Sequence, residues 1–386
     1  MTRMRQFVLA AGGTGGHMVP AAALAEELKR RGHRVALVSD ERGVRFPGLF
    51  EGVETHVLPA GRMQGGPAGW LRAGRAMWAG RSQAIELYEK LQPAAVIGFG
   101  GYPALPALAA AFAHRIPTAV HEQNAVLGRV NRLVAGRVDA IATSYAKVER
   151  LADKYRSKVK LTGNPVRDEV LALRDRPYPL LEEDSIFRVL VTGGSQGASV
   201  LSQVVPDGLA MLPVTFRRRL QVTHQARVED IDAARAKYAE LSIAADLATY
   251  LPDLPEHLAW AHLVIARAGA STIAELTAAG RPAILVPLPS ATDDHQTDNA
   301  REIADAGGAR VIAQDRFTPV ELAKQMQKLG LDPEALQNAA ARARSCGHPD
   351  AARDLADLVE EISNPAGDMP VGLAQPALDT GGAAFA

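Results

Sequence analysis

The sequence predicts an α/β protein built from two doubly wound domains that face each other across a cleft. Short apolar runs of β type alternate with longer amphipathic helical patterns, which is typical of βαβ units with a parallel sheet. The alternation starts twice along the 386 residues, because each half opens with an apolar strand pattern and a glycine-rich loop. Three prolines and the acidic sequence LEED separate the halves, so we predict a linker near residues 164–184.

The first half contains the pattern of a parallel, Rossmann-like sheet. Helical patterns at residues 21–31 and 81–91 repeat apolar side chains at the helical period. Helices between strands allow the strands to run in the same direction. The predicted strands cover residues 6–10, 34–39, 54–58, 94–98, 118–121 and 140–143.

The second half repeats the pattern and sets the expected domain limits. We predict an N-terminal domain over residues 1–164 and a C-terminal domain over 165–349, with the helix at 350–363 as a candidate addition to the N-terminal domain. The tail at 364–386 is rich in Gly, Ala and Pro, and we expect it to be disordered. The predicted strands cover residues 187–192, 220–223, 262–266, 283–286 and 309–312.

Composition narrows the class of protein. With 47% hydrophobic and 22% charged residues, the chain is unlike a disordered or collagen-like protein. Its single cysteine, Cys346, excludes an intramolecular disulfide and a paired-cysteine metal site. The longest uncharged stretch, residues 91–114, holds three prolines and three glycines, which predict a strand, a loop and a short helix. We therefore expect a cytoplasmic protein without a membrane span.

The net charge of zero is an average over two unlike halves. Residues 1–165 carry 23 basic and 12 acidic side chains, a net charge of +11. Residues 166–386 carry 20 basic and 31 acidic side chains, a net charge of −11. Such asymmetry suggests that one half faces an anionic surface or ligand.

Two glycine-rich loops are the first candidate binding features. GGTGGH at residues 12–17 and GGSQGA at 193–198 each follow a predicted strand and precede a helix. Glycines let the backbone approach a ligand, and a helix start offers N–H groups and partial positive charge to phosphate or a sugar hydroxyl. Neither loop has the Lys-Ser/Thr ending of a triphosphate–magnesium site. The pair suggests a nucleotide diphosphate between the domains, and ligand-free tight turns are the alternative.

Two further glycine clusters have the same context. GFGGY at residues 98–102 follows a predicted strand, and GAST at 269–272 opens a helix whose N–H groups could receive an anion. Glu275 lies one turn inside that helix, where its carboxylate could accept two ribose hydroxyls. A solvated residue favoured by the helix dipole is the alternative interpretation of Glu275.

Together the motifs resemble those of a known enzyme family. In chain order they are GGTGGH (12–17), GFGGY (98–102), HEQNA (121–125), GNPVR (163–167), GGSQGA (193–198), RAGASTIAEL (267–276) and DDHQTDNA (293–300). The set resembles the MurG-type transferases of peptidoglycan synthesis over roughly residues 7–360. The resemblance implies the GT-B glycosyltransferase architecture and transfer of N-acetylglucosamine from UDP-GlcNAc to undecaprenyl-diphospho-N-acetylmuramoyl-pentapeptide (lipid I), which gives lipid II.

The resemblance also implies roles for single residues. Asn124 and Gln296 are implied to bind the donor sugar. Arg167 and Ser195 are implied to meet the donor's diphosphate. The first-loop residues implied to border the diphosphate and sugar are Thr14, Gly15 and Gly16.

The remaining implied donor contacts lie in the second half of the chain. Leu251 matches a position whose backbone reads uracil, and Tyr250 stands at the place of an aromatic cap. Glu275 is implied to bind the ribose hydroxyls. The residues implied to wrap the sugar, phosphate and ribose are Ala270, Ser271, Thr272, Ile273, Ala274 and Glu275.

An inverting transfer needs a base for the acceptor hydroxyl and stabilisation of the leaving diphosphate. His17 is the candidate base, because the helix start at the first glycine loop disfavours its imidazolium form. A helix-capping or substrate-orienting His17 is the alternative. Glu122 is the rival base, because it lies beside Asn124 at the end of a predicted strand. His121 is more readily a structural residue.

The sequence predicts no metal and no cofactor. Asp293 and Asp294 form the one close acidic pair near a loop, and the HQTDNA that follows is typical of a helix start capped by aspartate. Arg167, Ser195 and the N–H groups near Ser271 can meet the charge of UDP instead.

An arginine-rich and apolar segment is the candidate membrane contact. Between Glu54 and Glu86 there is no acidic residue. Such a segment can lie on an anionic bilayer, and a core-facing helix with solvated arginines is the alternative. We expect a peripheral protein on the cytoplasmic face of the bacterial inner membrane, with no nucleic-acid partner. The predicted contacts are Trp70, Arg72, Arg75, Trp78 and Arg81.

Other functions remain open from the sequence. A UDP-GlcNAc 2-epimerase, or a transferase with a soluble acceptor, would share the fold, although the Arg/Trp segment argues against both. An NAD-dependent oxidoreductase is suggested by the first glycine loop only. A nucleotide-sugar-binding protein without activity would bind UDP-GlcNAc but release no UDP.

Overall fold

The chain folds into two parallel sheets, and helices cover both faces of each sheet. The structure is a computed structural model that describes residues 3–43, 48–61, 66–182, 185–194, 197–330 and 332–364. The predicted tail over 365–386 lies outside these ranges. Two doubly wound sheets confirm the predicted fold class.

The N-terminal sheet contains the first seven strands, all parallel. Its strands are β1 (Gln6–Ala10), β2 (Arg34–Ser39), β3 (Glu54–Val57), β4 (Ala95–Gly98), β5 (Thr118–Glu122), β6 (Ala140–Thr143) and β7 (Val159–Leu161). Their order is β3-β2-β1-β4-β5-β6-β7, so the order reverses beside β1 and opens a crevice at its carboxyl end. The helices are α1 (Gly15–Arg30), α2 (Gly66–Leu91), α3 (Ala104–Ala113) and α4 (Arg129–Val134).

The C-terminal sheet repeats this arrangement with six parallel strands. Its strands are β8 (Phe187–Thr192), β9 (Leu220–Gln225), β10 (Ala244–Ala248), β11 (Leu263–Ala266), β12 (Ala283–Leu285) and β13 (Ala309–Val311). Their order is β10-β9-β8-β11-β12-β13, with the reversal beside β8. The helices are α5 (Asp168–Leu171), α6 (Ser199–Ala210), α7 (Val214–Arg217), α8 (Ile231–Glu240), α9 (Leu254–Trp260), α10 (Ala270–Ala279), α11 (His295–Asp305), α12 (Pro319–Gly330), α13 (Pro333–Ser345) and α14 (Ala351–Ile362).

Alternate residues of each central strand enter different cores. In β1, Phe7 and Leu9 pack under α1 and α14, whereas Val8 and Ala10 pack under α2 and α3. All four side chains are fully buried. A strand that is buried on both faces reads as a continuous apolar run, which is why the central strands were predictable.

Helix α14 returns to the N-terminal half of the molecule. Its Leu355 and Val359 are fully buried in the core formed by β1 and α1. Arg31 at the end of α1 pairs with Asp357 and Glu360 of α14 at 2.6 and 2.7 Å. This packing supports the proposed addition of 350–363 to the N-terminal domain, and the limits 1–164 and 165–349 stay a prediction.

Helix α2 is longer than predicted. It begins at Gly66, whereas the sequence pattern indicated a start near residue 81. Its glycines hide the helical period of the apolar residues in the sequence. The loop after β3 approaches α2 so closely that a Cβ on Gly80 would clash with the carbonyl oxygen of Pro59, which requires glycine at this position. Across the described ranges, no helix is both long enough and apolar enough to cross a bilayer.

Candidate active site

A cleft of about 1680 Å³ lies between the carboxyl ends of the two sheets. Loops from both sheets line it, as the positions of the glycine motifs predict, because parallel strands end at the same edge of a sheet. The predicted site residues that line the cleft are Thr14, Gly15, Gly16, His17, Glu122, Asn124, Arg167, Leu251, Ala270, Ser271, Thr272, Glu275 and Gln296.

Three predicted residues are not among the cleft lining. Ile273 and Ala274 lie on the far side of α10 and border a second, small cavity together with Thr277. Their positions follow from the helical period, because Glu275 shares the cleft face of α10 with Ser271 and Thr272, four and three residues before it. Ser195 lies outside the described residues.

His17 is the third residue of α1 and is held by the loop before it. Its Nδ1 lies 3.0 Å from the carbonyl oxygen of Gly12. A carbonyl oxygen only accepts hydrogen bonds, so the neutral ring carries its proton on Nδ1 and leaves Nε2 free to accept one. Burial lowers the pKa of His17 below its ordinary value of 6.5, against the opposing effects of the Gly12 hydrogen bond and of Glu122. The imidazole is therefore neutral near pH 7.

The GFGGY loop forms the surface on which the His17 ring lies. Gly100 and Gly101 have φ angles of 88° and 74°. A Cβ on Gly100 would lie 3.3 Å from Nε2 of His17, and one on Gly101 would lie 3.3 Å from Nδ1. The loop therefore needs glycine both for its left-handed backbone and for its approach to the ring.

Glu122 organises the loop after β5. One carboxylate oxygen accepts hydrogen bonds from the backbone N–H and the side-chain amide of Asn124, both at 3.1 Å. The other accepts bonds from the N–H of Gly128 at 2.7 Å and the amide of Asn131 at 2.8 Å. The buried carboxylate thus holds the loop of Asn124 with four donors, and the choice between His17 and Glu122 as the base stays a prediction.

His121 has the structural role that the sequence suggested. It is fully buried, its Nε2 lies 2.9 Å from the carbonyl oxygen of Gly163, and its Nδ1 meets the amide of Gln123 at 3.0 Å. Burial lowers the pKa of His121 to about 4. The ring therefore ties β5 to the segment that leads into the second sheet.

The opposite wall of the cleft is built on the start of α10. The first N–H groups of a helix have no partner inside the helix, and those of α10 begin at Ala270 at the cleft. The hydroxyl oxygen of Ser271 is buried and has no hydrogen-bond partner among the described residues. Such a group beside free N–H groups is suited to an anionic ligand with acceptor oxygens.

Arg167 and Glu275 form an ion pair at the floor of the cleft. Their Nη2 and Oε1 atoms are 3.2 Å apart. The pKa of Glu275 lies above its ordinary value, because burial raises it more than the neighbouring Arg167 lowers it. Both side chains line the cleft, so a ligand with hydroxyl or phosphate groups can meet a cation and a carboxylate side by side.

Gln296 and Asn124 approach the middle of the cleft from opposite domains. The side-chain oxygen of Gln296 accepts the N–H groups of Ala268 and Leu288 at 3.2 and 3.0 Å, so its NH₂ group is available to a ligand. The side-chain oxygen of Asn124 accepts a hydrogen bond from Asn299 at 3.1 Å. Asn299 thus connects the two domains through its bond to Asn124.

The residues predicted to contact the nucleobase of the donor also line the cleft. Leu251 is 9% exposed, and the neighbouring Tyr250 is 54% exposed and also lines the cleft. A buried backbone position beside a half-exposed aromatic ring suits the edge and the face of a planar base.

Sequence reasoning missed the residues that hold the site in shape. Asn131 and Asn299 are almost fully buried, and Asp40 accepts the N–H groups of Gly13 and Gly43 at 3.0 and 2.9 Å. Asn299 was detectable, because it follows Gln296 by three residues on the same helix. The contact of Asp40 with Gly13 could not be predicted, because the two residues are 27 positions apart in the chain.

The predicted membrane contacts lie on the outer face of α2. Trp70 and Trp78 are 63% and 70% exposed, while Ala73 and Ala84 of the same helix are buried. Of the predicted arginines, Arg72 and Arg75 are exposed and Arg81 is partly buried. The helix is therefore amphipathic, with its tryptophans on the solvent side.

No group of three or more His, Cys, Asp or Glu side chains is placed to hold a metal ion within the described ranges. Asp294 precedes α11 as its N-cap residue, and its carboxylate accepts a hydrogen bond from Thr297 at 2.8 Å. A metal-free and cofactor-free mechanism stays a prediction.

Two Rossmann-like domains around a cleft with helix starts on both walls define the GT-B class of glycosyltransferase. Family models match both parts of the chain: the N-terminal domain of glycosyltransferase family 28 over residues 7–143, and the C-terminal domain of that family over residues 188–357. The chain belongs to glycosyltransferase family 28, as a MurG-type, UDP-GlcNAc-dependent enzyme.

Similar proteins match almost the whole chain. A relative from Zymomonas mobilis named UDP-N-acetylglucosamine–N-acetylmuramyl-(pentapeptide) pyrophosphoryl-undecaprenol N-acetylglucosamine transferase is 65% identical, covering 96% of this chain and 95% of its own. A relative of the same name from Novosphingobium aromaticivorans is 63% identical, covering 94% and 93%. The crystal structure of Acinetobacter baumannii MurG has a TM-score of 0.74 at 29% identity, covering 92% of this chain and 99% of that one.

Glu122→Gln tests the positioning role of this carboxylate. The substitution turns an NH₂ group toward backbone and side-chain donors, so we expect the free energy of unfolding to fall by about 3 kcal/mol. Denaturant unfolding measures it, and Glu86→Gln on the exposed face of α2 is the control, with a change within about 0.5 kcal/mol. A Glu122→Gln protein as stable as wild type, with altered pH dependence of turnover, would instead identify Glu122 as the base.

Proposed function

We propose that this chain transfers N-acetylglucosamine from UDP-GlcNAc to the 4-hydroxyl of undecaprenyl-diphospho-N-acetylmuramoyl-pentapeptide, with inversion at the anomeric carbon. The product is lipid II. The observation that carries the proposal is the 65% identity to the Zymomonas transferase over 96% of the chain, with the motifs of that resemblance gathered around one cleft.

The donor is bound mainly by the C-terminal wall. The backbone at Leu251 reads uracil, and Glu275 accepts the ribose hydroxyls. The diphosphate lies against the N–H groups at the start of α10 and the Ser271 hydroxyl, with Arg167 beside them. The sugar extends toward the other domain.

The sugar is held where the two domains meet. The free NH₂ group of Gln296 donates to one sugar hydroxyl, and Asn124 contacts the sugar from the N-terminal domain. Thr14, Gly15 and Gly16 border it beside the start of α1. The anomeric carbon thereby faces the N-terminal domain, where the acceptor enters.

His17 accepts the proton of the acceptor hydroxyl on Nε2. Its Nδ1–H stays bonded to the carbonyl oxygen of Gly12, which fixes the ring and the tautomer. As the proton moves to Nε2, the hydroxyl oxygen bonds to the anomeric carbon from the face opposite UDP. The bond between that carbon and the phosphate oxygen breaks, and its electron pair leaves with UDP.

The departing diphosphate gains negative charge, and the helix start meets it. N–H groups aimed at an oxyanion in a partly dry cleft stabilise it without reorganising during the reaction. Arg167 adds a full positive charge at the same end. These groups provide the leaving-group stabilisation that a metal supplies in other transferases.

The outer face of α2 brings the enzyme to the lipid acceptor. Exposed tryptophans beside arginines suit the interface of an anionic bilayer, and α2 packs on α3, which follows the GFGGY loop. The carboxyl end of β3 leads into α2, so the patch lies on the same side of the sheet as the cleft. The enzyme is thus a peripheral protein on the cytoplasmic face of the membrane.

A UDP-release assay tests the function itself. With UDP-GlcNAc and a lipid I analogue, we expect UDP at a rate at least about tenfold above the acceptor-free rate, because the acceptor oxygen must displace it. Release that does not depend on the acceptor, or no release, contradicts the proposal. Conversion of UDP-GlcNAc to its 2-epimer without acceptor would indicate the epimerase alternative.

His17→Ala tests the base. We expect kcat to fall by about 10²–10⁴-fold, with the dissociation constant for UDP-GlcNAc changed by less than about threefold. In the wild type, kcat/KM requires neutral His17; because its pKa is lowered, the acidic limb should have its midpoint below pH 6.5. Exposed His114→Ala is the control. Near-normal turnover of His17→Ala would remove His17 from this role.

Vesicle sedimentation tests the membrane contact. We expect the protein to sediment with phosphatidylglycerol vesicles at low salt and less with phosphatidylcholine vesicles. Arg72, Arg75 and Arg81 changed together to Gln should weaken binding by about tenfold or more, since each basic residue contributes about 1 kcal/mol. The matched control changes three exposed C-terminal arginines to Gln: Arg218, Arg235 and Arg316. Equal binding of both triple variants to the vesicles would contradict a membrane contact at Arg72, Arg75 and Arg81.

A further inference from the structure

An ion cluster joins the two domains at the rim of the cleft. Asp293, in the turn before α11, faces two arginines of the N-terminal domain. One carboxylate oxygen lies 2.6 Å from Nη2 of Arg132 on α4, and the other lies 2.8 Å from Nη1 of Arg150 after β6. Both oxygens are therefore used in contacts that cross between the domains.

The backbone on both sides of this cluster is unusual. Asp293 and Asp294 have φ angles of 59° and 53°, and Arg150 has a φ of 61°. Residues with a side chain rarely adopt this left-handed conformation, and it persists only where the surroundings impose it. The two sides of the ion cluster thus share a strained backbone next to the candidate active site, which points to a function rather than to an incidental surface pair.

A second contact lies two turns further along α11. The side-chain oxygen of Asn299 accepts the N–H of Ala125 at 2.7 Å, and its NH₂ group donates to Asn124 and to the carbonyl oxygen of Ala268 at 3.1 and 3.3 Å. Asn299 is fully buried, so these bonds are shielded from water. The side-chain amide of Asn299 is thus hydrogen-bonded to residues of both domains.

The segment between these two contacts carries the donor-sugar residue. Gln296 lies between Asp293 and Asn299 and lines the cleft together with His295. On the other domain, Asn124 and Ala125 follow the strand end that Glu122 organises, and Glu149 beside Arg150 bonds to Ala125 at 2.7 Å. The two contacts therefore fasten the Gln296 segment to the wall that carries His17.

We propose that Asp293 is a positioning residue, which through Arg132 and Arg150 sets the domain closure that brings the donor sugar at Gln296 to the base His17. This role rests on the proposed function. The UDP part of the donor is bound by the C-terminal wall, so loss of the cluster should impair alignment for the reaction more than the affinity for UDP.

The charges around Asp293 make the cluster sensitive to salt rather than to pH. Burial would raise the pKa of Asp293, but the hydrogen bond from Arg132 and the charges of Arg132, Arg150 and Arg129 lower it. The carboxylate is therefore ionised near pH 7. Arg150 is 53% exposed, so added salt reaches the cluster and screens it.

Asp293→Asn, studied with UDP-GlcNAc and a soluble lipid I analogue, tests the role. We expect kcat to fall about tenfold, with the dissociation constant for UDP changed less than about twofold, because misalignment acts on the reacting atoms. Asp293→Asn combined with Arg150→Gln should be no slower than Asp293→Asn alone, since both remove the same contact. Salt should slow the wild type toward the variant rate and leave the variant unchanged.

Asp298→Asn is the matched control, because its carboxylate pairs with Arg301 on the same helix α11. Asp293→Glu keeps the negative charge and should recover part of the lost kcat. A loss of kcat caused only by partial unfolding of Asp293→Asn would not explain this recovery. Without any substrate, small-angle scattering should give Asp293→Asn a larger radius of gyration than the wild type and Asp298→Asn.

Three outcomes would overturn the role: wild-type kcat in Asp293→Asn, independent effects of the two substitutions, or an affinity for UDP that falls as much as kcat. A wild-type protein with no acceptor-dependent UDP release would overturn the proposed function itself. In that case the scattering comparison still decides whether Asp293 sets the closure of the two domains.

Discussion

Parallel strands that are buried on both faces leave a protein one place for polar chemistry, the edge where the strands end. In both sheets the central strands are mostly apolar, and helices cover the two faces. Every loop that can expose N–H groups therefore starts at the carboxyl edge, as the loops before α1 and α10 do. Turning two such edges toward each other creates a cleft with helix starts on both walls. The places proposed for the base on one wall and for the leaving group on the other follow from that single constraint.

The two walls of the cleft must also keep a fixed position relative to each other. Buried polar side chains hold them in this position. The carboxylate of Glu122 has four hydrogen-bond donors, two of which belong to Asn124, and Asn124 is bonded in turn to Asn299 of the other domain. Hydrogen bonds that are shielded from water are strong, so they fix the positions of the groups that they join. The base and the sugar contacts are thus positioned by residues that do not react. This explains how loops joined to two separate cores can present one site.

The sequence predicted strands best where nearly all residues of the strand are buried, and it was less informative about strands that are partly exposed. The strands β1, β2, β6 and β8 match their predicted limits because they are apolar runs between turn residues. The edge strands β7 and β10 were missed, because they are short, partly exposed and lack such runs. Motifs located the cleft because glycine loops follow strands directly. The cross-domain partners of Asp293 and Asn299 could not be predicted, since Arg150 and Ala125 are more than 140 residues away in sequence.

The opposite charges of the two halves have a structural consequence within the molecule. Among the ion pairs that join residues before 165 to residues after it in the described ranges, the basic partner comes from the first half: Arg30 with Asp168, Arg31 with Asp357, Arg132 with Asp293 and Lys160 with Glu361. Part of the +11 therefore meets part of the −11 inside the fold. Helix α14 belongs to this exchange, because segment 350–363 carries five acidic residues and one arginine and packs on the basic domain. Positive charge also stays exposed on α2, at Arg72 and Arg75. An anionic nucleotide in the acidic half then depends on local groups, the N–H groups of α10 and Arg167, which act at hydrogen-bond distance where net charge is screened.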